Sequence, residues 1–355
     1  MNFFGARFSY IYMNPTLRKI KTAGIISLWS IVLFCLLVMG TMYLYGYSAT
    51  DSDQQPRVVE IPQGATLKRT AHLLADHQVI NSPTSFIAFT YLQGKQNRIQ
   101  AGEYELSATL PPQEILKKIT QGETLDYAVT IPEGYRISEI AELLAQKGLV
   151  DKNRFINETR NAELIDSLNI PTRDLEGYLF PETYRFRKNA GEKKIVQAMV
   201  AIFKQKTDLP EIRERARKLH LTFHEVITLA SLIEKETGLA SERKIISSVF
   251  HNRLKKRMRL QTDPSVIYAL ADFDGNIRKK DLSIDSPYNT YLYFGLPPGP
   301  IANPGLDSIL SALEPAQTDM FYFVSRQNGS HQFSANLTDH NRAVRKYQLR
   351  RQPKG

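Results

Sequence analysis

A chain of 355 residues with a single cysteine can build neither an intramolecular disulfide nor a zinc site that needs several thiolates. Other catalytic apparatus is scarce too. "HEVIT", residues 224 to 228, opens like a zinc-protease helix, but Thr228 stands where the second histidine ligand would be. No G-x-S-x-G elbow, S-x-x-K set or phosphate-cradling P-loop occurs, and the lone thiol, Cys35, sits inside an apolar run. Serine, thiol and metal mechanisms therefore lack their residues, and no metal or cofactor is expected. The net charge of +10, from 46 Lys and Arg against 36 Asp and Glu, is concentrated at "RLKKRMR" (253 to 259) and "NRAVRKYQLRRQPKG" (341 to 355). No helix-turn-helix, zinc finger or interleaved aromatic and basic pattern accompanies these runs, so they read as solvated faces and nucleic acid is not expected as a partner. What remains for chemistry is carboxylates.

What is present is an ordinary folded composition, 42% hydrophobic and 23% charged, with length for two or three domains. One segment stands apart. "AGIISLWSIVLFCLLVMGTMYLYGY", Ala23 to Tyr47, carries no charge and exceeds the roughly 20 residues that span a bilayer. Arg18, Lys19 and Lys21 precede it, and Asp51 and Asp53 are the first charges after it. The positive-inside rule then makes 1–22 a cytoplasmic N-terminus, 23–47 a transmembrane helix and the rest extracytoplasmic, as for a single-pass protein of a bacterial inner membrane. The run is too long for a signal-peptide core and no small-residue cleavage site follows it. Phe34 before Cys35 speaks against a lipoprotein attachment, leaving that cysteine as a membrane-facing apolar residue.

Beyond the span, "VVEIPQGATLKRTAHLLADHQVI" (58 to 80) and "AVTIPEGYRISEIAELLAQKGLV" (128 to 150) align without a gap. Each reads as a short apolar strand, a Pro-x-Gly turn and an amphipathic helix. With the alternating strand and helix between them they form a small α+β module over 57–156. Such a unit resembles the LysM modules that hold peptidoglycan chains, although a plain scaffold would fit the pattern equally. Residues 157–355 read as a mainly helical, loop-rich domain with short strands, giving an α+β protein overall. Helices are predicted at 193–208, 222–238 and 241–258, the last with Ser241 and Glu242 as its N-terminal cap. Prolines and glycines dictate an irregular loop at 285–305, and loops of that length in a compact domain tend to be functional.

The stretch "LASLIEKETGLASER" (229 to 243) sets two carboxylates, Glu234 and Glu236, at the end of an apolar helix. Helical spacing puts Glu234 on the stripe of Ile227, Ala230 and Ser231, and Glu236 on that of Leu229, Leu232 and Ile233. Ordinary helix-end charges paired with Lys235 or Arg243 explain this as the simplest case. A functional carboxyl would need desolvation, which disfavours the anion and lets the group hold a proton for delivery. Periodicity does not separate the two glutamates.

"ASLIEKETGLASERKIISSVFHNRLKKRMRLQTDPSVIYAL", with "LEGYLFPETY" (175 to 184), "SPYNTY" (286 to 291) and "GLPPGPIANPG" (295 to 305), resembles the MltG (YceG-like) endolytic murein transglycosylases. The resemblance implies cleavage of the β-1,4 bond between N-acetylmuramic acid and N-acetylglucosamine within nascent glycan strands, leaving a 1,6-anhydromuramyl end. One glutamate suffices there, because the sugar's own 6-hydroxyl replaces the second carboxylate of an ordinary glycosidase. The catalytic Glu of such enzymes is followed by Ser or Thr at a helix end, which selects Glu236 with Thr237 and leaves Glu234 as the other candidate. Matching motif positions imply a cleft lined by Glu182, Gln261, Thr262, Asp263, Tyr288, Asn289 and Tyr291. Tyr178 could stack on a sugar or belong to the core, and hydrogen bonding that merely stabilises loops would equally suit Asp263. Implied partners are peptidoglycan strands, the membrane and cell-wall synthases. Two other functions stay open, a non-catalytic wall-binding or division-complex protein and a lysozyme-like hydrolase in which Asp263 activates water.

Overall fold

The computed structural model describes residues 15–349, with side chains from Ala23 onward. Most of the expected cytoplasmic head and the end of the basic tail, 350–355, lie outside the described residues. Contacts divide the chain into two compact units, 1–125 and 126–355, so the division falls between the two copies of the repeat.

The first unit opens with helix α1 (Pro15–Tyr47). Within it Ala23–Tyr47 is 25 residues long with mean hydropathy 2.4, long and apolar enough to cross a membrane as a single-pass anchor. Its side chains from Ala23 to Thr41, Cys35 included, are exposed. The first repeat copy follows as strand β1 (Arg57–Ile61) and helix α2 (Leu67–Asp76), joined by α3 (Pro83–Leu92), β2 (Gly102–Leu106) and α4 (Pro112–Gln121). β1 pairs antiparallel with β2, Val59 opposite Tyr104. Val59, Ile61, Leu74, Phe86, Tyr104 and Ile115 form this unit's buried core.

The second unit begins with the other copy, β3 (Asp126–Thr130) and α5 (Ile137–Gln146), followed by α6 (Lys152–Glu158), α7 (Ala162–Ser167) and β4 (Thr183–Arg187). β3 pairs antiparallel with β4 rather than with any strand of the first copy. Val129, Ile131, Ile140 and Leu144 accordingly join the large core of this unit. The pairing ties this copy to residues after 157. Helices α8 (Glu192–Thr207), α9 (Pro210–Lys218), α10 (Phe223–Glu236), α11 (Ala240–Lys255), α12 (Asp263–Ala269) and α13 (Leu306–Leu313) come next, with the irregular 285–305 segment before α13. β5 (Tyr322–Ser325), β6 (His331–Ser334) and α14 (Leu337–Val344) close the unit, β5 and β6 forming an antiparallel hairpin. The molecule is thus a helix-rich α+β protein with three two-stranded sheets among its described residues.

α10 is the beam of the second unit. Residues Val226 to Ile233 are all buried, so the helix is apolar on every side and packs within the core rather than on its surface. Thr222 and Glu225 form a capping box at its start, the Thr222 N–H donating to Glu225 at 2.7 Å and the Glu225 N–H to Thr222 at 3.2 Å. The cap expected at Ser241 is not used. α11 starts at Ala240 behind Leu239, which makes no side-chain cap, and Glu242 instead accepts the His331 N–H at 2.9 Å and meets His331 Nδ1 at 2.7 Å. That carboxylate fastens α11 to the β5–β6 hairpin.

Candidate active site

α10 ends at Glu236, and Thr237 turns into extended backbone with φ −146° and ψ 137°. The two glutamates of this last turn meet different surroundings. Glu234 has a side chain only 6% exposed, accepts the Gly305 N–H at 3.0 Å at the start of α13, and lies 3.5 Å from the Arg243 guanidinium. Arg243 also faces Glu133 at 3.4 Å and Asp307 at 3.3 Å, so Glu234 belongs to a knot joining α10, α11 and the start of α13. Glu236 has no ion pair within 4.0 Å among the described residues and faces an open cleft of about 470 Å³. Burial pushes its carboxyl up from the ordinary range to about 7; the Thr262 hydroxyl and Arg253 oppose the rise and the Asp263 charge adds to it. A position at a helix C-terminus, where backbone carbonyls face a carboxylate, works in the same direction.

Three segments wall this cleft. Arg253 comes from α11 and, far from being part of a solvated basic face, is 7% exposed. Its Nε donates to the Phe321 carbonyl at 2.6 Å, its Nη1 to the Leu260 carbonyl at 2.7 Å, and its guanidinium lies 5.2 Å from the Tyr322 ring centre. Gln261, Thr262 and Asp263 lead into α12. The Gln261 backbone adopts φ +48°, a left-handed conformation costly for a side chain with a Cβ, and is held by its N–H to the Thr290 carbonyl at 3.1 Å. Thr262 N–H donates to Thr290 Oγ1 at 3.0 Å. Thr262 Oγ1 is buried with no other hydrogen bond of normal geometry and is free to serve the Glu236 carboxyl. The third wall is the hairpin and α14, with Tyr322, His331 and His340.

Of the other residues read from the sequence, Gln261, Asp263 and Tyr291 line the cleft with Glu236. Tyr291 donates its hydroxyl to Asp263 Oδ1 at 2.6 Å, fixing both side chains. Asn289 is fully buried and does not reach the cleft; its amide donates to the carbonyls of Leu282 at 3.0 Å and Ile284 at 2.9 Å, and its Oδ1 accepts the Tyr291 N–H at 2.9 Å. It positions Tyr291. Tyr288 packs against Tyr268 with ring centres 4.8 Å apart. Tyr178 is 1% exposed, hydrogen bonds His224 Nδ1 at 2.7 Å and packs on Phe203, which makes it core. Glu182 is exposed and pairs with Lys206 at 3.8 Å, away from the cleft. His224, the zincin-like histidine, places Nε2 3.0 Å from the Pro298 carbonyl and so ties α10 to the 295–305 loop. The sequence reading missed Arg253, Tyr322, His331 and His340. Arg253 was hidden in a basic run, and no local signal marks the hairpin.

Why "GLPPGPIANPG" must run where it does is clear from Asn303. This buried residue accepts the Leu179 N–H at 2.9 Å, and its amide donates to the Tyr135 carbonyl at 2.8 Å and to Glu176 at 3.0 Å. Gly177, at φ +88°, lets Pro300 approach; a Cβ there would stand 2.5 Å from the proline ring. Of the motif segments read from the sequence, 175–184 and 295–305 are therefore joined to each other through buried polar contacts.

The YceG-like family model matches residues 59–346 of the chain. An endolytic murein transglycosylase of Bacillus subtilis is 36% identical over 331 residues, covering 88% of this chain and 91% of that protein. One of Streptococcus pneumoniae is 29% identical over 352 residues, 88% of this chain and 63% of the other. The crystal structure of a YceG-like protein of Listeria monocytogenes, 35% identical, superposes with a TM-score of 0.57 over 81% of this chain and 99% of its own.

Proposed function

The chain belongs to the YceG-like family, and from that premise we propose that it is an endolytic murein transglycosylase in which Glu236 is the general acid and base. The observation that carries the assignment is a carboxyl that burial raises to about 7, facing an open cleft, while Glu234 two residues away is committed to Arg243 and Gly305. Protonated Glu236 delivers its proton to the oxygen between N-acetylmuramic acid and N-acetylglucosamine as the bond from the anomeric carbon breaks. The resulting carboxylate takes the proton of the muramyl 6-hydroxyl, whose oxygen closes on the anomeric carbon. Glu236 ends protonated, no water is consumed, and the product carries a 1,6-anhydromuramyl end.

Arg253, fixed by two backbone carbonyls, supplies positive charge beside the carboxylate that forms between the steps. The Asp263–Tyr291 pair and Gln261 are the polar wall against which a sugar would lie. The apolar helix at Ala23–Tyr47 supports a single-pass anchor in the inner membrane with the head cytoplasmic and the second unit outside, where new strands and their synthases are found. In this reading cleavage ends or trims nascent strands, residues 57–156 are a LysM-like region, and glycan contact by that region is a role additional to catalysis.

Digestion of purified peptidoglycan, with the products weighed, tests the assignment. Anhydromuramyl ends should form with the parent chain and with Glu234→Gln, and be lost with Glu236→Gln. Reducing ends would overturn it in favour of hydrolysis through Asp263. Intact glycan with measurable binding would leave a wall-binding protein.

A further inference from the structure

A second cavity, of about 360 Å³, lies on the other side of the ridge that carries the proposed chemistry. Lys235 and Pro264, the chain neighbours of Glu236 and Asp263, both line it, so it and the catalytic cleft share the end of α10 and the first turn of α12. Arg136, Ser138, Glu139, Ile267 and Phe273 complete the wall. Phe273 is 39% exposed. Arg136 and Lys235 have no carboxylate within 4.0 Å among the described residues; Lys235 Nζ donates to the Gly134 carbonyl at 3.2 Å, and the Arg136 guanidinium stands 5.1 Å from the centre of the Tyr268 ring. Glu139, the one carboxylate in this lining, accepts the Arg136 backbone N–H at 2.7 Å through one of its oxygens. Arg136 also acts on the buried Glu176 at longer range.

Two cations without ion-pair partners, a hydroxyl and an exposed aromatic ring around one depression suit a short peptide with free carboxylates. Two cations converging on such an anion form charge-assisted hydrogen bonds, which are stronger than neutral ones. We propose that this cavity is the subsite for the peptide stem of the muramyl sugar, with Arg136 and Lys235 binding a stem carboxylate. The inference rests on the murein reading of the adjacent cleft. It follows from connectivity in the substrate: the muramyl sugar at the scissile bond carries its stem, so the stem must leave the catalytic cleft within a few ångströms of Glu236. The ridge formed by Lys235 and Pro264 is one exit, and Arg136 and Lys235 lie along it. Binding there would orient the muramyl 6-hydroxyl at Glu236 as well as add affinity.

The test uses the full chain carrying Glu236→Gln, so that binding is measured without cleavage. Its affinity is determined for uncrosslinked glycan strands with stems and for the same strands stripped of stems by an amidase. Stem-bearing strands should bind about tenfold more tightly. Adding Arg136→Gln and Lys235→Gln should close that gap, whereas Lys235→Arg should keep it, with thermal melting used to confirm that each variant is folded. Equal affinity of the Glu236→Gln chain for the two strands overturns the subsite, as does an equal loss on both strands in the double variant, which would mark a structural role. If stemless strands are bound and the parent chain cleaves them, the murein reading survives the loss of the subsite. If neither strand is bound, both fall.

Discussion

Replacing Glu236 with glutamine removes a proton donor while leaving the shape of the cleft. Turnover on peptidoglycan should fall by at least about a hundredfold, the usual worth of a positioned acid. The parent enzyme should lose kcat/KM as the pH rises through about 7, because the acid must hold its proton at the start of the reaction. Stability carries the same signature. Between the ordinary value of 4.5 and about 7 the folded state binds a proton that the unfolded chain has released, so stability falls as pH rises across that window. The melting temperature of Glu236→Gln minus that of the parent should therefore grow over the same range, and a flat difference would mean that burial does not raise this carboxyl. Glu234 should behave differently. Glu234→Ala leaves the Gly305 N–H without its acceptor and takes one of three carboxylates from Arg243, and should cost about 1–3 kcal/mol in denaturant unfolding. The sequence shows both carboxylates and their stripes, yet nothing in a 3.6-residue period reveals that one meets a helix N-terminus and the other a cleft. Arg253 was equally illegible: its burial depends on the carbonyls of Leu260 and Phe321, and the latter comes from the segment before β5.

At the scale of elements, the polar knot behind the cleft has its own titration. Glu176 accepts the Ile137 N–H at 3.1 Å at the start of α5 and the Asn303 amide at 3.0 Å, and burial raises it to about 8. The folded chain holds this proton too, so stability should decline as pH rises from 4.5 toward 8. Glu176→Gln keeps an acceptor oxygen and removes the ionisation, and its melting temperature should vary less across that interval than the parent's. Helices were the most readable elements. The run from Val226 to Ile233 and the capping residues at Thr222 and Glu225 announce α10 locally. The partners of the strands were not readable. β3 finds β4 across three intervening helices, and β5 and β6 are four residues each, so no local period identifies them as a wall of the cleft.

For the whole molecule, two separate cores imply two cooperative units. Phe86, fully buried in the first, gives a direct handle. Phe86→Ala should destabilise by about 3–5 kcal/mol, and calorimetry should show one of two transitions moving while the other stays. A single transition shifting as a whole would mean the units unfold together. The duplication was legible at this scale from the shared Pro-x-Gly turns, and the exchange of strand partners that divides the copies between units was not, because equal sequences report equal local structure and say nothing of neighbours.

The interval between Glu234 and Glu236 also bears on how this gene can vary. Each residue advances an α-helix by about 100°, so inserting or deleting a single codon within α10 would rotate one of these carboxylates away from its task whatever residues were kept. Substitutions at the apolar positions of the beam are tolerated best where they conserve volume. Changes of length are not tolerated, and homologous sequences should align through α10 without gaps even where the flanking loops differ freely in size.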